Sequence, residues 1–216
     1  MMNKQMNELS VVRSFNVSDF RATDNEKYNV EGHAAVFNQT TTIGNWFYEV
    51  IERGAFDECD FDDVLFFVNH NQNKIPLARS RRNNGNSTMK LEVNETGLYI
   101  RADLDIENNS ESRTLHSSIS RGDIDGMSFS FRIKEQTWEN LDSDMPTRKI
   151  TKIAKVYEVS AVNQPAYSNT DINARDKVAL ENAKIALENA RSKTNELDNS
   201  KALEIERLRT KILMNV

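Results

Sequence analysis

Apolar and polar positions alternate with a period of two over several short stretches of this chain. Val11, Phe15 and Val17 do so near the start. Met89, Leu91 and Val93 follow, then Leu98, Ile100, Ala102, Leu104 and Ile106 after the turn-like Asn94-Glu95-Thr96-Gly97. Met127, Phe129, Phe131 and Ile133 form a further run. This alternation predicts strands with one face in a core and the other toward water. Turn residues punctuate the runs at Gly32, Gly44, Asn83-Asn84-Gly85-Asn86, Gly122 and Gly126. The stretch from Ser110 to Arg121 reads instead as a short helix. Leu115 and Ile119 lie four apart, Ser110 is placed to cap, and Gly122 is placed to stop it. Asp57 to Phe67 reads as an acidic, solvated loop leading into the apolar run Val64-Leu65-Phe66-Phe67-Val68. Asp57, Asp60, Asp62 and Asp63 lack the spacing and glycine of a calcium loop.

The pattern changes near residue 170. All 7 glycines lie at or before Gly126, the last proline is Pro165 and the last aromatic residue is Tyr167. Beyond them Leu180, Ala183, Leu187, Ala190, Thr194 and Leu197 follow 3/4 spacing, and Ile205, Leu208 and Ile212 continue it after a one-residue shift. A narrow stripe of this kind suits a helix with a coiled-coil-like seam, or one docked on a partner. With Ala and Thr in the seam it also reads as a solvated, partly frayed helix. Two parts are therefore expected, a β-rich domain over 1–170 and a helical tail over 171–216.

Composition narrows the function classes. The chain has 216 residues and a formal net charge of −5, which disfavours direct, sequence-independent binding to nucleic acid. Its single cysteine, Cys59, excludes an internal disulfide and a cysteine-based zinc cluster. The N-terminus has no apolar signal core, and no apolar run approaches the roughly 18 residues of a membrane helix. Neither a membrane partner nor a metal or organic cofactor is expected.

Three segments could carry chemistry. Among the histidines His33, His70 and His116, His70 stands out because it ends the apolar run Phe66-Phe67-Val68, where a strand can fix its orientation for proton transfer. In Gly126-Met127-Ser128-Phe129-Ser130-Phe131, Ser128 and Ser130 share one strand face. Either is the polar face of an amphipathic strand, or a nucleophile if a base lies beside it. In Tyr157-Glu158-Val159-Ser160-Ala161-Val162, Glu158 interrupts an apolar stretch. It reads as edge decoration, or as the acid that orients a histidine. Each signal alone is weak.

In order along the chain they resemble the prohead (capsid maturation) serine proteases of tailed phages, the family typified by phage HK97. Val30-Glu31-Gly32-His33-Ala34-Ala35-Val36-Phe37 is similar to the family's I-x-G-x-A-x-x-F. Tyr48-Glu49-Val50-Ile51-Glu52-Arg53-Gly54-Ala55-Phe56 is similar to E-x-I-x-x-G-A-F. His70 follows a short apolar strand, as the family histidine does. The Ser128 segment resembles G-M-S-F-G-F, with Ser130 in place of the second glycine. Glu158 to Tyr167 resembles E-V-S-x-V-x-x-P-A-Y. Asn71 stands where the family often has Asp, and Leu77-Ala78-Arg79 where it has L-G-R. The resemblance spans roughly residues 10–170.

The resemblance implies a mainly β fold with a few helices, a small, mostly antiparallel β-barrel like that of the herpesvirus assembly protease, followed by the helical tail. It implies a serine endopeptidase with Ser128 as nucleophile, His70 as general base and Glu158 as third member, with His116 as the alternative for that last role. It implies action on the scaffolding segment of the major capsid protein and on the protease itself. Self-association is expected, and so is a place in the host cytoplasm inside the immature capsid. A catalytically silent assembly protein of the same fold is the alternative.

Overall fold

A computed structural model describes residues 10–16, 19–23, 29–163 and 174–214. Along the chain the strands are β1 (Val11–Asn16), β2 (Arg21–Ala22), β3 (Val30–Val36), β4 (Thr41–Ile43), β5 (Phe47–Ile51), β6 (Leu65–Val68), β7 (Ala78–Arg79), β8 (Met89–Val93) and β9 (Gly97–Ala102). Helix α1 (Ser110–Ser120) follows. The long strands β10 (Gly126–Glu139) and β11 (Thr147–Val162) come next, and α2 (Ala174–Met214) ends the described chain. The alternating runs became β8, β9 and β10, although Leu104 and Ile106 lie past the end of β9. Val17 and the Pro165-Ala166-Tyr167 block lie outside the described residues.

The strands form two sheets. In the larger, the order is β1-β10-β11-β5-β4, with β6 also against β11 and β7 against β6. The smaller has the order β2-β3-β9-β8. Neither order returns to its starting strand, so the described strands make two open sheets rather than the closed barrel expected. The reason lies in β11. One edge pairs with β10 along nearly its whole length. The other is shared by two short parallel strands, β5 at Thr147–Ile150 and β6 at Glu158–Ala161. Two strands filling one edge in succession leave no single strand to carry the pairing round.

Apolar faces of both sheets meet in one core. Phe129, Phe131, Val156 and Val159 come from the larger sheet, Val30, Leu98, Ile100 and Met89 from the smaller, and Leu115 and Ile119 from α1. Gly97 is required by close packing between β9 and β3, because a Cβ there would lie 1.9 Å from the Ala35 carbonyl oxygen. Helix α1 starts one residue earlier than Ser110 suggested. Asn109 is the cap, its side-chain oxygen accepting from the backbone N–H groups of Glu111 (2.9 Å) and Ser112 (3.3 Å). Such a cap contributes about 1 kcal/mol.

Helix α2 has two halves of different character. Ala179, Ala183 and Leu187 are buried, and the helix packs against β1. The Lys184 ammonium sits 3.7 Å from the centre of the Trp46 ring. Arg191 donates to the carbonyls of Leu141 (3.0 Å) and Ser143 (3.2 Å). From 192 to 210 every residue is exposed, including Leu197, Leu203, Ile205 and Leu208. The first half of the expected seam is thus covered by the chain's own sheet. No helix among the described residues is long and apolar enough to cross a membrane.

Candidate active site

Three strands of the larger sheet bring the candidate residues together. Ser128 lies on β10 and faces Ser160 across the β10–β11 ladder, and Ser130 faces Glu158. The period-2 alternation of β10 buries Met127, Phe129 and Phe131 on one side, which forces Ser128 and Ser130 to the other. Strand β6 runs parallel to β11 with Leu65 beside Glu158 and Phe67 beside Ser160, and so carries the chain to His70. The turn after β6 is tight. Asn69 and His70 both adopt left-handed backbone conformations, with φ of 50° and 55°. That geometry costs roughly 1–2 kcal/mol for each L-residue, though Asn and His tolerate it better than most.

The turn points the imidazole back over the sheet. His70 Nε2 lies 2.6 Å from Ser128 Oγ, and His70 Nδ1 lies 2.6 Å from Glu158 Oε1. A carboxylate only accepts, so Nδ1 carries the proton toward Glu158 and Nε2 is left as the acceptor facing the serine. Ser128 Oγ has a second acceptor within reach, the backbone carbonyl oxygen of Arg13 on β1, at 2.9 Å. A hydroxyl has one proton. Donated to Arg13 it is parked. Donated to Nε2 it is in line for transfer. Ser128 has no solvent exposure, Glu158 is 2% exposed and the His70 side chain 18% exposed. The other Glu158 oxygen is buried and has no hydrogen-bond partner among the described residues, so the histidine is the carboxylate's polar contact there. In so dry a setting a hydrogen-bonded charge acts more strongly than in water.

A family model described as caudovirus prohead serine protease matches residues 15–184. The chain belongs to this family. No curated protein matches, and no solved structure does. The prohead protease match extends past residue 170 into α2 and takes in Ala179 and Ala183, two of the residues by which the helix packs on the body.

The remaining histidines sit on other elements, His33 on β3 and His116 on α1. His33 has Asp19 at Nδ1 and Asn94 Oδ1 at Nε2 (3.0 Å), a pattern that fixes a ring within the smaller sheet. His116 Nε2 is buried and has no hydrogen-bond partner among the described residues. The two ring nitrogens of His70 meet Glu158 and Ser128, and neither His116 nor Ser130 is among these partners. Cys59 is no competing nucleophile. Burial, the largest influence, pushes its thiol up to about 12, so it is protonated near neutrality. Three acids of the loop before β6 are paired, Asp60 with Lys155, Asp62 with Arg82 and Asp63 with Arg79.

Two features of the site escaped the sequence reading. One is Ser160, whose Oγ accepts the backbone N–H of His70 at 3.3 Å. The other is a buried charge cluster behind β1. Glu49 receives the Arg13 guanidinium through both carboxylate oxygens and Arg148 at 3.1 Å, while Arg148 also bonds Gln136. Burial acts to raise the Glu49 carboxyl, but the arginines, Arg13 first, outweigh it and hold it below the usual carboxylate range. The cluster fixes β1, and β1 presents the Arg13 carbonyl to Ser128. A signal for it was present. Arg13 falls between Val11 and Phe15 on the buried face of its strand, and Glu49 between Phe47 and Ile51. A charge set inside an apolar period-2 face has to find a partner.

Proposed function

We propose that this chain is a serine endopeptidase that cuts the scaffolding segment from the major capsid protein, and then itself, inside the immature capsid. The observation that carries the reading is the unbroken hydrogen-bonded series Ser128–His70–Glu158, in a chain of the prohead protease family. Ser128 Oγ attacks the scissile carbonyl carbon while its proton passes to His70 Nε2. Glu158 holds Nδ1–H and stabilises the imidazolium that forms. His70 then gives the proton to the leaving amine nitrogen as the C–N bond breaks. Water, deprotonated by the same nitrogen, hydrolyses the acyl-serine and restores the hydroxyl.

The burial of Ser128, and the Arg13 carbonyl as a second acceptor for its proton, support a resting enzyme that is weakly active when free. Confinement within the capsid shell raises the effective concentration of substrate and of any second copy. On this reading the protein acts in the host cytoplasm, within the prohead, with the capsid protein as its partner.

The division into a protease domain and a tail is best drawn within α2. Cutting at residue 170 would remove Ala179 from the core, whereas the exposed stretch 192–210 is free to engage the capsid protein's scaffolding segment. Deleting residues 192–216 is expected to lower incorporation into particles several-fold while leaving peptide hydrolysis unchanged. Protease-to-shell ratios in purified particles check this, and an unchanged ratio contradicts it.

The catalytic assignment is tested with a serine-reactive fluorophosphonate on assembled precursor particles, with the adduct mapped by peptide mass. The adduct is expected on Ser128, and lost in His70→Ala. An adduct on Ser130, or labelling that survives His70→Ala, contradicts the assignment.

A further inference from the structure

We infer that Ser160 is a positioning residue that holds His70 through its backbone. The inference rests on the reading of His70 as the general base. Its basis is how the turn after β6 is tied down. Asn69 and His70 are consecutive left-handed residues, a conformation that L side chains enter only where their surroundings over-determine it. The restraints come from one strand. Asn69 N–H donates to the Ala161 carbonyl (2.9 Å), Asn69 Oδ1 accepts from Asn163 N–H (3.1 Å), and Ser160 Oγ accepts from His70 N–H (3.3 Å). All three partners lie on β11 or just beyond its end.

Glu158 is on the same strand, two residues before Ser160, and side chains two apart on a strand share a face. One rigid strand thus sets the imidazole twice, with Glu158 holding ring atom Nδ1 and Ser160 holding the main chain that bears the ring. Ser160 also faces Ser128 directly across the β10–β11 ladder. The backbone anchor, the carboxylate and the serine are therefore in fixed register. Ser160 is fully buried and touches neither ring nitrogen, so its effect on the reaction passes through His70.

Losing the anchor frees the turn to relax toward ordinary backbone angles and moves Nε2 relative to Ser128 Oγ. A displacement near 1 Å costs on the order of 10²-fold in rate. The test compares Ser160→Thr with Ser160→Val in the full-length chain. The two side chains have nearly the same shape and the same packing burden, and only Thr keeps the hydroxyl. One readout is the rate of capsid-protein cleavage on co-expression. The other is the downfield proton resonance of His70 Nδ1–H, assigned by its loss in His70→Gln, which a purely structural role would not move. Thr is expected to keep both. Val is expected to cleave on the order of 10²-fold more slowly and to lose or shift the resonance. Equal rates or equal resonances in Thr and Val overturn the proposal. If Ser128→Ala, run in parallel, cleaves like the wild type, the catalytic reading itself falls. If Ser128→Ala is inert while Thr and Val behave alike, only the anchor falls.

Discussion

Replacing Glu158 by glutamine is expected to lower peptide hydrolysis by about 10⁴-fold, and replacing Ser128 or His70 by alanine by about 10⁶-fold. The asymmetry follows from the geometry. In the proposed mechanism Ser128 and His70 exchange the proton directly, across the 2.6 Å contact between them. Glu158 acts one step back by fixing the Nδ1 tautomer and compensating the imidazolium, and a neutral amide can donate to Nδ1 and leave the wrong nitrogen facing the serine. The losses are not additive. The double variant Ser128→Ala/His70→Ala should be no slower than either single one, because neither residue works without the other. Initial rates on a peptide spanning the cleavage site, with enzyme from assembled particles, provide the measurement. A Glu158→Gln enzyme within tenfold of wild type contradicts the role given to the carboxylate. Circular dichroism separates these effects from loss of fold.

The second large effect concerns stability. Glu49→Gln is expected to destabilise the protein by about 3–5 kcal/mol, because it leaves the Arg13 and Arg148 guanidiniums together in a buried site without their counter-charge. That is a large share of the stability of an ordinary domain. The same cluster sets an acid dependence. The folded-state carboxyl of Glu49 lies below its unfolded value. Its contribution is therefore fully present above the ordinary carboxylate range of about 4, and is lost as pH falls from there through the folded value. Urea denaturation at neutral pH and in steps below about pH 4 checks both statements. Wild-type stability should fall in acid, and Glu49→Gln should lose less over the same interval. Parallel acid profiles for the two proteins would show that Glu49 is not the group involved.

The sequence made the site more legible than the architecture. Strands β8 and β9 could be read because each buries one face more than the other, and period-2 patterning reports that contrast directly; β10 shows the same alternation, but the expected water-facing side is buried at Ser128 and Ser130. Ser128, Ser130 and Glu158 stood out by the same rule, being polar groups on strands otherwise rich in large apolar residues. The residue pattern alone did not show what joins them, because pairing between β10 and β11 and the passage from β6 to His70 are long-range contacts; only the family resemblance grouped them with His70. The closed barrel failed for a related reason. That β5 and β6 share one edge of β11 in succession leaves no mark in either short strand. In α2 periodicity does not name the partner: Ala183 and Leu187 of the expected seam are buried, together with Ala179, which the seam did not include, while Leu197, Ile205 and Leu208 are exposed. Ser160 was passed over because a serine within an apolar strand gives no sign of whether it serves a distant backbone N–H.

The most direct test of the account is co-expression with the major capsid protein, comparing wild type, Ser128→Ala and Ser130→Ala by intact mass. The account predicts that wild type and Ser130→Ala shorten the capsid protein by one N-terminal segment, and that Ser128→Ala leaves it full length although shells assemble. Shortening by Ser128→Ala would contradict the account. Full-length capsid protein in all three samples, with shells formed, would also contradict it and would identify the chain as an assembly protein that does not cut.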